Sequence, residues 1–335
     1  MGGNALQFIK REKEEESLQN PFAYSDDNKR YHTLHYNLRH RYGGRVFKVP
    51  LNAGFTCPNM DGTKGVGGCT YCSSQGSGDF AGDPSHSLAR QFEEQKAILH
   101  QKWPKAQYIP YFQARTNTYA PVEILRERFE PVLKFPGVVG LAIATRADCL
   151  PDEVCGYLED LSRRTDLTVE LGLQSFSDET GERINRGHTT AEFLEGFWKL
   201  YQRGIPVCVH IINGLPGESL DEMRKTAEQL ARLPIQGIKI HLLHVLEGTV
   251  LADQYRAGEF PLLTREEYVS VVCDQLELLP PQVVIQRLTG DGDREKLIGP
   301  LWSVRKREVL NEIDKELARR DSWQGKKYRE EEHGL

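Results

Sequence analysis

Short apolar runs alternate with longer amphipathic runs along the middle of the chain. Six runs that are largely apolar and not strictly alternating predict buried strands, at residues 45–51, 108–113, 138–145, 167–173, 206–212 and 237–245. Five runs carry apolar residues at helical spacing and predict helices, at residues 87–102, 121–134, 151–163, 190–203 and 219–233. Repeated strand–helix units with right-handed crossovers give a parallel sheet. The pattern therefore predicts an α/β fold, either a doubly wound sheet or an incomplete barrel.

Three cysteines follow the first predicted strand in a glycine-rich stretch. Eleven residues separate Cys57 from Cys69, and two separate Cys69 from Cys72. Three thiolates can bind three irons of a 4Fe-4S cluster and leave the fourth iron open to a substrate or cofactor. In a barrel the active site lies at the carboxyl ends of the strands. Cys57 follows its strand at that edge, so the pattern indicates a reactive cluster there.

Two other uses of these cysteines are weighed against a cluster. A structural zinc ion takes four ligands, usually as two close pairs. Only Cys69 and Cys72 form such a pair, so Cys57 and His86 would have to complete the set. A disulfide framework is disfavoured, because the chain starts without a secretory signal pattern and has an odd number of cysteines, seven. The other four are expected to be core residues: Cys149, Cys155, Cys208 and Cys273.

Composition narrows the class of protein. The 335 residues are 39% hydrophobic and 27% charged, which is typical of a soluble globular protein. No apolar run approaches the roughly 20 residues of a membrane span, so no membrane partner and a cytoplasmic location are expected. The formal net charge of -5 argues against wholesale phosphate binding. It leaves room for a local basic face.

With these motifs the chain resembles the radical S-adenosylmethionine (radical SAM) enzymes. The long first cysteine interval is similar to that of the subset around the elongator catalytic subunit, and the sequence around the cysteines resembles the YhcC/YtqA-like group. The resemblance covers roughly residues 45–248 and implies a partial (βα)6 TIM-like barrel with a C-terminal helical extension. We therefore expect an N-terminal extension over 1–44 and the radical SAM core over 45–250. Residues 251–335 are expected to cap the barrel and to end in a charged tail.

The resemblance also implies the cofactors and their contacts. Cys57, Cys69 and Cys72 would bind the 4Fe-4S cluster, and S-adenosylmethionine would bind beside it. Five positions match cofactor-contacting motifs of the family: Gln174, Arg186, His210, Gly214 and Leu243. Tyr71, between two of the cysteines, would shield the cluster. The Gly-Gly-Glu stretch that receives the methionine amino group in many radical SAM enzymes is absent, so Gln113 or a neighbouring carbonyl is expected to take its place. Two alternatives stay open, since Gln174 could be a strand-end amide bonded to backbone and His210 a satisfied core residue. A pair of histidines three residues apart on a strand points to opposite faces, so only one of His241 and His244 is expected to face the cavity.

Elongator-like relatives modify the wobble uridine of tRNA, and the YtqA-like group resembles enzymes that trim carboxymethylaminomethyl-uridine to aminomethyl-uridine. The resemblance therefore implies tRNA as a partner, and an electron donor such as flavodoxin or ferredoxin. Basic residues with interleaved aromatics at 39–45 and 326–329 are typical of RNA contacts. The basic residues at 305–307 and 319–320 fit the solvent-exposed side of a helix better than they fit an RNA contact. Arg287, Thr289 and Asp291 are the expected substrate contacts in the C-terminal extension.

Two other classes of function remain open from the sequence. One is a radical SAM enzyme that acts on a small molecule or a protein, which the motifs before residue 250 fit as well. The other is a non-catalytic, zinc-containing RNA-binding or scaffold protein. No residue is assigned as a general acid or base.

Overall fold

A parallel sheet forms the centre of the molecule. The computed structural model of the chain describes residues 22–73, 76, 80–290 and 292–330. Within them, seven strands pair in the order β1-β2-β3-β4-β5-β6-β8, with every neighbouring pair parallel. The strands are β1 (Val46–Leu51), β2 (Gln107–Phe112), β3 (Leu141–Thr145), β4 (Leu167–Gln174), β5 (Val207–Asn213), β6 (Gly237–Leu242) and β8 (Val284–Arg287). A separate antiparallel pair joins β7 (Val245–Leu246) to β9 (Leu297–Gly299).

Helices connect the strands and cover the outer face of the sheet. They are α1 (Leu34–Tyr42), α2 (Leu88–His100), α3 (Val122–Phe129), α4 (Asp152–Ser162), α5 (Asp178–Arg183), α6 (Thr190–Tyr201), α7 (Leu220–Ala231), α8 (Val250–Arg256), α9 (Arg265–Leu278) and α10 (Lys306–Arg319). Short 3-10 turns span Pro131–Lys134, Ala147–Cys149 and Leu301–Val304. Three helices begin with a full capping box, in which Thr189, Ser219 and Thr264 each pair with a glutamate three residues later.

The sheet curls into a half-barrel, and the predicted fold class is confirmed. The six strands predicted from the sequence are present within a few residues of the expected bounds. The run at 237–245 is divided, because β6 ends at Leu242 and β7 begins at Val245. A seventh strand, β8, comes from the segment expected to cap the barrel. β1 and β8 are the two edges of the sheet, so the half-barrel is open on the side where these edges face each other.

The core lies between the sheet and its helices. Apolar side chains of adjacent layers interlock there, as in the contact of Phe112 on β2 with Phe129 on α3, whose ring centroids are 4.7 Å apart. The four cysteines expected in the core are buried: Cys149, Cys155, Cys208 and Cys273. A second apolar cluster lies beyond the strands and contains Ile184, Leu215, Leu243, Val245 and Leu251. It supports the loops that follow β4, β5 and β6.

The C-terminal segment is built onto this core. One face of α10 is buried through Val309, Ile313 and Leu317, as the spacing of these residues predicts. Arg320 joins α10 to α9 by an ion pair with Asp274 at 2.6 Å. The charged run at 10–16, the end of the tail from 331 to 335, and Asp291 lie outside the described residues. No helix in the described ranges is long and apolar enough to cross a membrane.

Glu218 is a buried carboxyl group in the turn between β5 and α7. Ser175 donates a hydrogen bond to it. Burial raises the pKa of Glu218 from its usual 4.5 to about 7, and Glu222 adds to the rise. Between these two pH values the folded chain holds a proton that the unfolded chain has lost. Stability from this group is therefore full below pH 4.5 and falls as the pH rises to about 7.

We predict that Glu218→Gln makes the protein more stable above pH 7 by about 1 to 3 kcal/mol, because the neutral amide removes the cost of a buried charge. Below pH 4.5 the variant and the wild type should have equal stability. Urea unfolding of both proteins between pH 4 and 8 measures this difference. Glu182→Gln is the matched control, since Glu182 is exposed on the neighbouring helix α5. A gain that is the same at every pH would contradict the prediction.

Candidate functional site

The loop after β1 carries the three cysteines and is clamped to the loop after β4. The Asn59 side chain donates a hydrogen bond to the carbonyl oxygen of Asn185 at 2.5 Å and approaches the Cys69 sulfur at 3.7 Å. In return, Asn185 donates to the carbonyl oxygen of Gly68 at 2.7 Å. Gly187 has a φ of +72°, and a Cβ there would lie 2.5 Å from Asn59 Oδ1. The position of the cysteine loop therefore depends on Asn59 and Asn185. It also depends on Gly187, because a side chain there would collide with Asn59.

The three cysteines line one cavity of about 180 Å³ at the carboxyl edge of the sheet. The Cys72 thiol donates a hydrogen bond to the Cys69 sulfur, which lowers the pKa of Cys69 to about 6 despite its burial. The Tyr71 hydroxyl and the nearby Arg146 guanidinium act in the same direction. The pKa of Cys72 is correspondingly raised. The thiolate is the form of cysteine that binds metal. These contacts favour the thiolate of Cys69.

Five cationic side chains and one carboxylate line this cavity among the described residues. The cations are Arg115, Arg146, Arg186, Lys239 and Arg287, and the carboxylate is Glu170. A positive field of this kind stabilises thiolates and attracts anionic groups. Arg115 and Arg146 were not predicted from the sequence, since a single arginine after a strand has no distinctive sequence pattern.

Arg146 and Arg186 hold the loops around the cysteines. Arg146 follows β3 and donates to the carbonyl oxygens of Arg186 at 2.7 Å and Gly187 at 3.0 Å, while a bidentate pair with Asp148 fixes its guanidinium. Arg186 is 1% exposed. It donates to the carbonyl oxygens of Leu173, Ser175 and His188 and to the Asp178 carboxylate, all at 2.7 to 2.8 Å. Its direct contribution is to shape the turn that brings His188 to the cavity.

A carboxylate with three basic partners lies in the interior of the half-barrel, below the cysteines. Glu170 on β4 is fully buried and pairs with Lys48 on β1, with Lys239 on β6, and with His210 Nε2 at 2.7 Å. Burial alone would raise its pKa, but the ammonium groups of Lys239 and Lys48 hold that pKa well below the usual value. Burial and the nearby Lys239 lower the pKa of His210 to about 4, so its imidazole is neutral at pH 7. We call these four residues the Glu170 network.

Two histidines in the cavity have buried nitrogen atoms that lack a hydrogen-bond partner within the described residues. His188 is 8% exposed, lines the cavity, and has neither ring nitrogen bonded within the described structure. His241 lines the same cavity, and its Nε2 is buried and likewise unbonded. Buried polar atoms are nearly always satisfied, so this wall fits a polar occupant. His188 was not predicted from the sequence, because only its placement in the fold reveals the unpaired ring.

The positions expected to contact the cofactor fall into two groups. Tyr71, Gln113, Gln174, Arg186 and His210 line the cavity with the cysteines. Gln174 has a φ of +65° at an irregularity in the β4–β5 pairing. Gly214 and Leu243 lie away from the cavity wall, where Leu243 belongs to the second apolar cluster and Gly214 lies near Leu263. A cofactor contact at these two positions stays a prediction.

The expected substrate contacts are also divided. Arg287 lines the cysteine cavity and a larger neighbouring one. Thr289 is fully buried and lines neither cavity, while Asp291 is not among the described residues. His241 faces the cavity, whereas the His244 ring lies against Gly290 and Gly292.

The zinc alternative needs His86 beside the cysteines. In the structure His86 Nδ1 lies 3.2 Å from Glu94, and His86 does not line the cysteine cavity. In the described part of the chain, no three His, Cys, Asp or Glu side chains have the close geometry of a single-ion site. An iron–sulfur cluster is a larger body than one ion, so its thiolates stand further apart. The three thiols, the positive wall and the unpaired histidine nitrogens together fit a cluster with a polar cofactor beside it.

A parallel half-barrel with three cysteines in the loop after its first strand defines the radical SAM class of protein. The sequence profile of the Radical SAM superfamily matches residues 62–230, and that of the Radical_SAM C-terminal domain matches residues 235–319. The chain belongs to the Radical SAM superfamily.

Relatives and a solved structure agree with this assignment. The protein YtqA of Bacillus subtilis is 55% identical over 318 residues, covering 94% of this chain and 99% of YtqA. The tRNA uridine(34) acetyltransferase of Methanocaldococcus infernus is 30% identical over 157 residues, covering 46% of this chain and 29% of that enzyme. The structure of Methanocaldococcus infernus Elp3 superposes with a TM-score of 0.64 at 19% identity, covering 83% of this chain and 64% of that one. The expected likeness to the YtqA-like and elongator-like proteins is confirmed.

We predict that Gly187→Ala destabilises the protein by about 1 to 3 kcal/mol, because the new Cβ meets Asn59 in a left-handed backbone conformation. The iron content after anaerobic reconstitution should fall as well, since Asn59 positions the Cys69 loop. Gly43→Ala is the matched control. Gly43 has a φ of +69° with no atom within 4 Å of an added Cβ, so this variant carries the backbone strain alone. If the two variants lost equal amounts of stability and iron, the contact between Asn59 and Gly187 would not be what positions the cysteine loop.

Proposed function

We propose that this radical SAM enzyme holds a 4Fe-4S cluster on Cys57, Cys69 and Cys72, binds S-adenosylmethionine beside it, and acts on the wobble uridine of tRNA. The proposed reaction converts carboxymethylaminomethyl-uridine to aminomethyl-uridine. The observation that carries this proposal is a basic cavity that enters the open side of the half-barrel and shares walls with the cysteine cavity.

When both groups are bound, they supply a 5′-deoxyadenosyl radical that takes a hydrogen atom from the substrate. The residues of the chain hold and shield them. Three thiolates bind the cluster, and the positive wall favours the thiolates and the carboxylate of S-adenosylmethionine. The ring nitrogens of His188, which have no partner among the described residues, offer hydrogen bonds to polar cofactor atoms. Tyr71 lies between two ligands and limits access of water.

The basic cavity on the open side of the half-barrel, which we call the lateral cavity, has the size and charge for a polyanionic substrate. Its volume is about 960 Å³, and it lies between β1, α1 and the segment that precedes α10. Seven lysine or arginine residues line it against two acidic ones, Asp293 and Glu308, within the described residues. The basic residues are Lys48, Lys239, Arg287, Arg294, Arg305, Lys306 and Arg307. Clustered cations around a groove are typical of phosphate recognition, even though the net charge of the whole chain is negative.

The geometry of the two cavities favours a base at the end of a flexible strand. Chemistry on a base requires the base to leave its stack and enter a pocket. An unpaired anticodon nucleoside could enter through the lateral cavity while its phosphates stay among the arginines at the rim. The partial likeness to tRNA uridine(34) acetyltransferase supports the same class of substrate.

The proposed reaction removes a carboxymethyl group from an amine. We place the abstracted hydrogen on the carboxymethyl carbon beside the nitrogen, where nitrogen stabilises the resulting carbon radical. Loss of one further electron and one proton gives an imine, and addition of water releases aminomethyl-uridine and glyoxylate. The electron passes to a redox partner, for which an electron carrier of the flavodoxin or ferredoxin type is proposed.

We predict that the anaerobically reconstituted protein contains about four irons with matching sulfide and releases 5′-deoxyadenosine when dithionite and S-adenosylmethionine are added. With an anticodon stem-loop RNA deuterated at the carboxymethyl carbon, one deuterium should appear in the 5′-deoxyadenosine. Cys72→Ala should lose cluster and product. Cys155→Ala is the matched control, because Cys155 is a buried core thiol on α4. Mass spectrometry measures the nucleoside product and the deuterium content of 5′-deoxyadenosine. Deoxyadenosine without deuterium would refute this route, and zinc without sulfide would refute the enzyme class.

We predict that the double variant Arg305→Ala, Arg307→Ala binds tRNA more weakly than the wild type does. The slope of log K against log salt should fall in magnitude by about one for each phosphate that is no longer paired with an arginine. Fluorescence anisotropy with labelled tRNA at several salt concentrations measures this slope. Arg319→Ala is the control, since Arg319 lies at the far end of α10 and pairs with Glu316. An unchanged slope in the double variant would show that tRNA phosphates do not bind the arginines of the lateral cavity, and would contradict the proposed RNA path.

A further inference from the structure

The boundary between the lateral cavity and the cysteine cavity is made of few residues. Tyr111, Gln113, Lys239 and Arg287 line both spaces. A group that enters from the lateral side and reaches the cysteines must pass these four side chains. The reacting carbon of a substrate has to lie near the cysteines, so the atoms next to that carbon meet this boundary.

Lys239 is the buried cation of the boundary. It lies on β6, is 6% exposed, and has three ammonium hydrogens to donate. One is directed to Tyr111 Oη at 3.1 Å and another to Glu170. Across the described residues the third has no acceptor. Lys239 is therefore fixed in place by two partners and keeps one donor for a ligand.

The charges around Lys239 do not balance. In the Glu170 network one carboxylate faces two ammonium groups, Lys48 and Lys239, while His210 is neutral. Burial lowers the pKa of Lys239 to about 8 even though Glu170 opposes the shift. A buried charge without full compensation is costly, and an arriving anion would compensate it.

A second unsatisfied group lies on the same face of the same strand. His241 is two residues from Lys239 on β6, and residues at this spacing point to the same side of a strand. Both line the cysteine cavity, and Nε2 of His241 is buried without a hydrogen-bond partner among the described residues. An ammonium hydrogen and an imidazole nitrogen on one face offer two contacts, which suits the two oxygens of a carboxylate.

We propose that Lys239, supported by His241, binds a carboxylate of the substrate at the boundary between the two cavities. This inference rests on the proposed function, in which the substrate carries a carboxylate next to the carbon that loses hydrogen. Binding that carboxylate at Lys239 sets the neighbouring carbon on the cysteine side. Tyr111 and Glu170 are positioning residues, because they act by holding the ammonium group. The same contact selects against a wobble nucleoside without the carboxylate.

The test compares two substrates on the full-length, reconstituted protein. One anticodon stem-loop RNA carries the carboxymethylaminomethyl group, and a matched RNA carries the neutral carboxamide in its place. For the wild type we expect kcat/KM to favour the carboxylate RNA by about tenfold or more, mainly through KM, as for loss of a charged hydrogen bond. Lys239→Met should reduce this preference to near one.

Lys48→Met is the matched control, because it removes the other ammonium group from Glu170 without removing a wall of the cysteine cavity. It should lower the preference for the carboxylate RNA less than Lys239→Met does, because it removes the excess positive charge but leaves the direct contact of Lys239 in place. A purely structural role of the network predicts that both lysine variants change the preference alike, and that result would overturn the inference. A wild type that converts both RNAs equally well also overturns it while leaving the proposed function intact. A wild type that converts neither RNA overturns both.

Discussion

A parallel sheet brings the carboxyl ends of its strands to one edge, and the candidate site depends on this constraint. The cysteine loop follows β1, Arg146 follows β3, and the turn with Arg186 and His188 follows β4. These segments are far apart in sequence but become neighbours at the edge. Their contacts are then made by backbone carbonyls and a few polar side chains, as the reciprocal bonds of Asn59 and Asn185 illustrate. Without a shared edge, three cysteines in one loop would have no positive wall opposite them.

The interior of the half-barrel contains a polar network around Glu170 in place of an apolar filling. A closed barrel fills its interior with layers of apolar side chains, but here the interior must stay open for a cofactor and a substrate. Polar groups on β1, β4, β5 and β6 join across that space through one carboxylate. A buried ion pair contributes little net stability, because desolvation offsets most of the attraction. Its value lies in orientation, since several partners on one carboxylate fix the strands and the ammonium groups relative to each other.

The sequence was sufficient for the strand–helix order and for the cysteines, because both have local signals. Apolar runs such as 167–173 are visible without any tertiary knowledge, and so is the spacing of Cys57, Cys69 and Cys72. β8 was missed because Val284–Arg287 is only four residues long and contains two polar ones. The partners of Glu170 could not be predicted from the sequence, since Lys48 is 122 residues away along the chain. The unpaired nitrogens of His188 likewise exist only as a feature of packing. Gly214 and Leu243 are predicted from their motif positions but do not line the cysteine cavity, and a cofactor contact at these positions stays a prediction.

The two cavities of the half-barrel are lined largely by different parts of the chain, and the two linings suit different tasks. The cysteines, the unpaired histidines and all of the positive wall except Arg287 come from residues 57–241, whereas most of the basic lining of the lateral cavity comes from residues 287–307. The first set is suited to generating a reactive species, and the second to choosing what reaches it. Lys239 and Arg287 belong to both linings, so the two tasks meet at one boundary. Unpaired edges of a sheet invite non-specific pairing. In this chain α1 and the segment before α10 lie beside the open edges, and the surface that protects the sheet is also the wall of the substrate path.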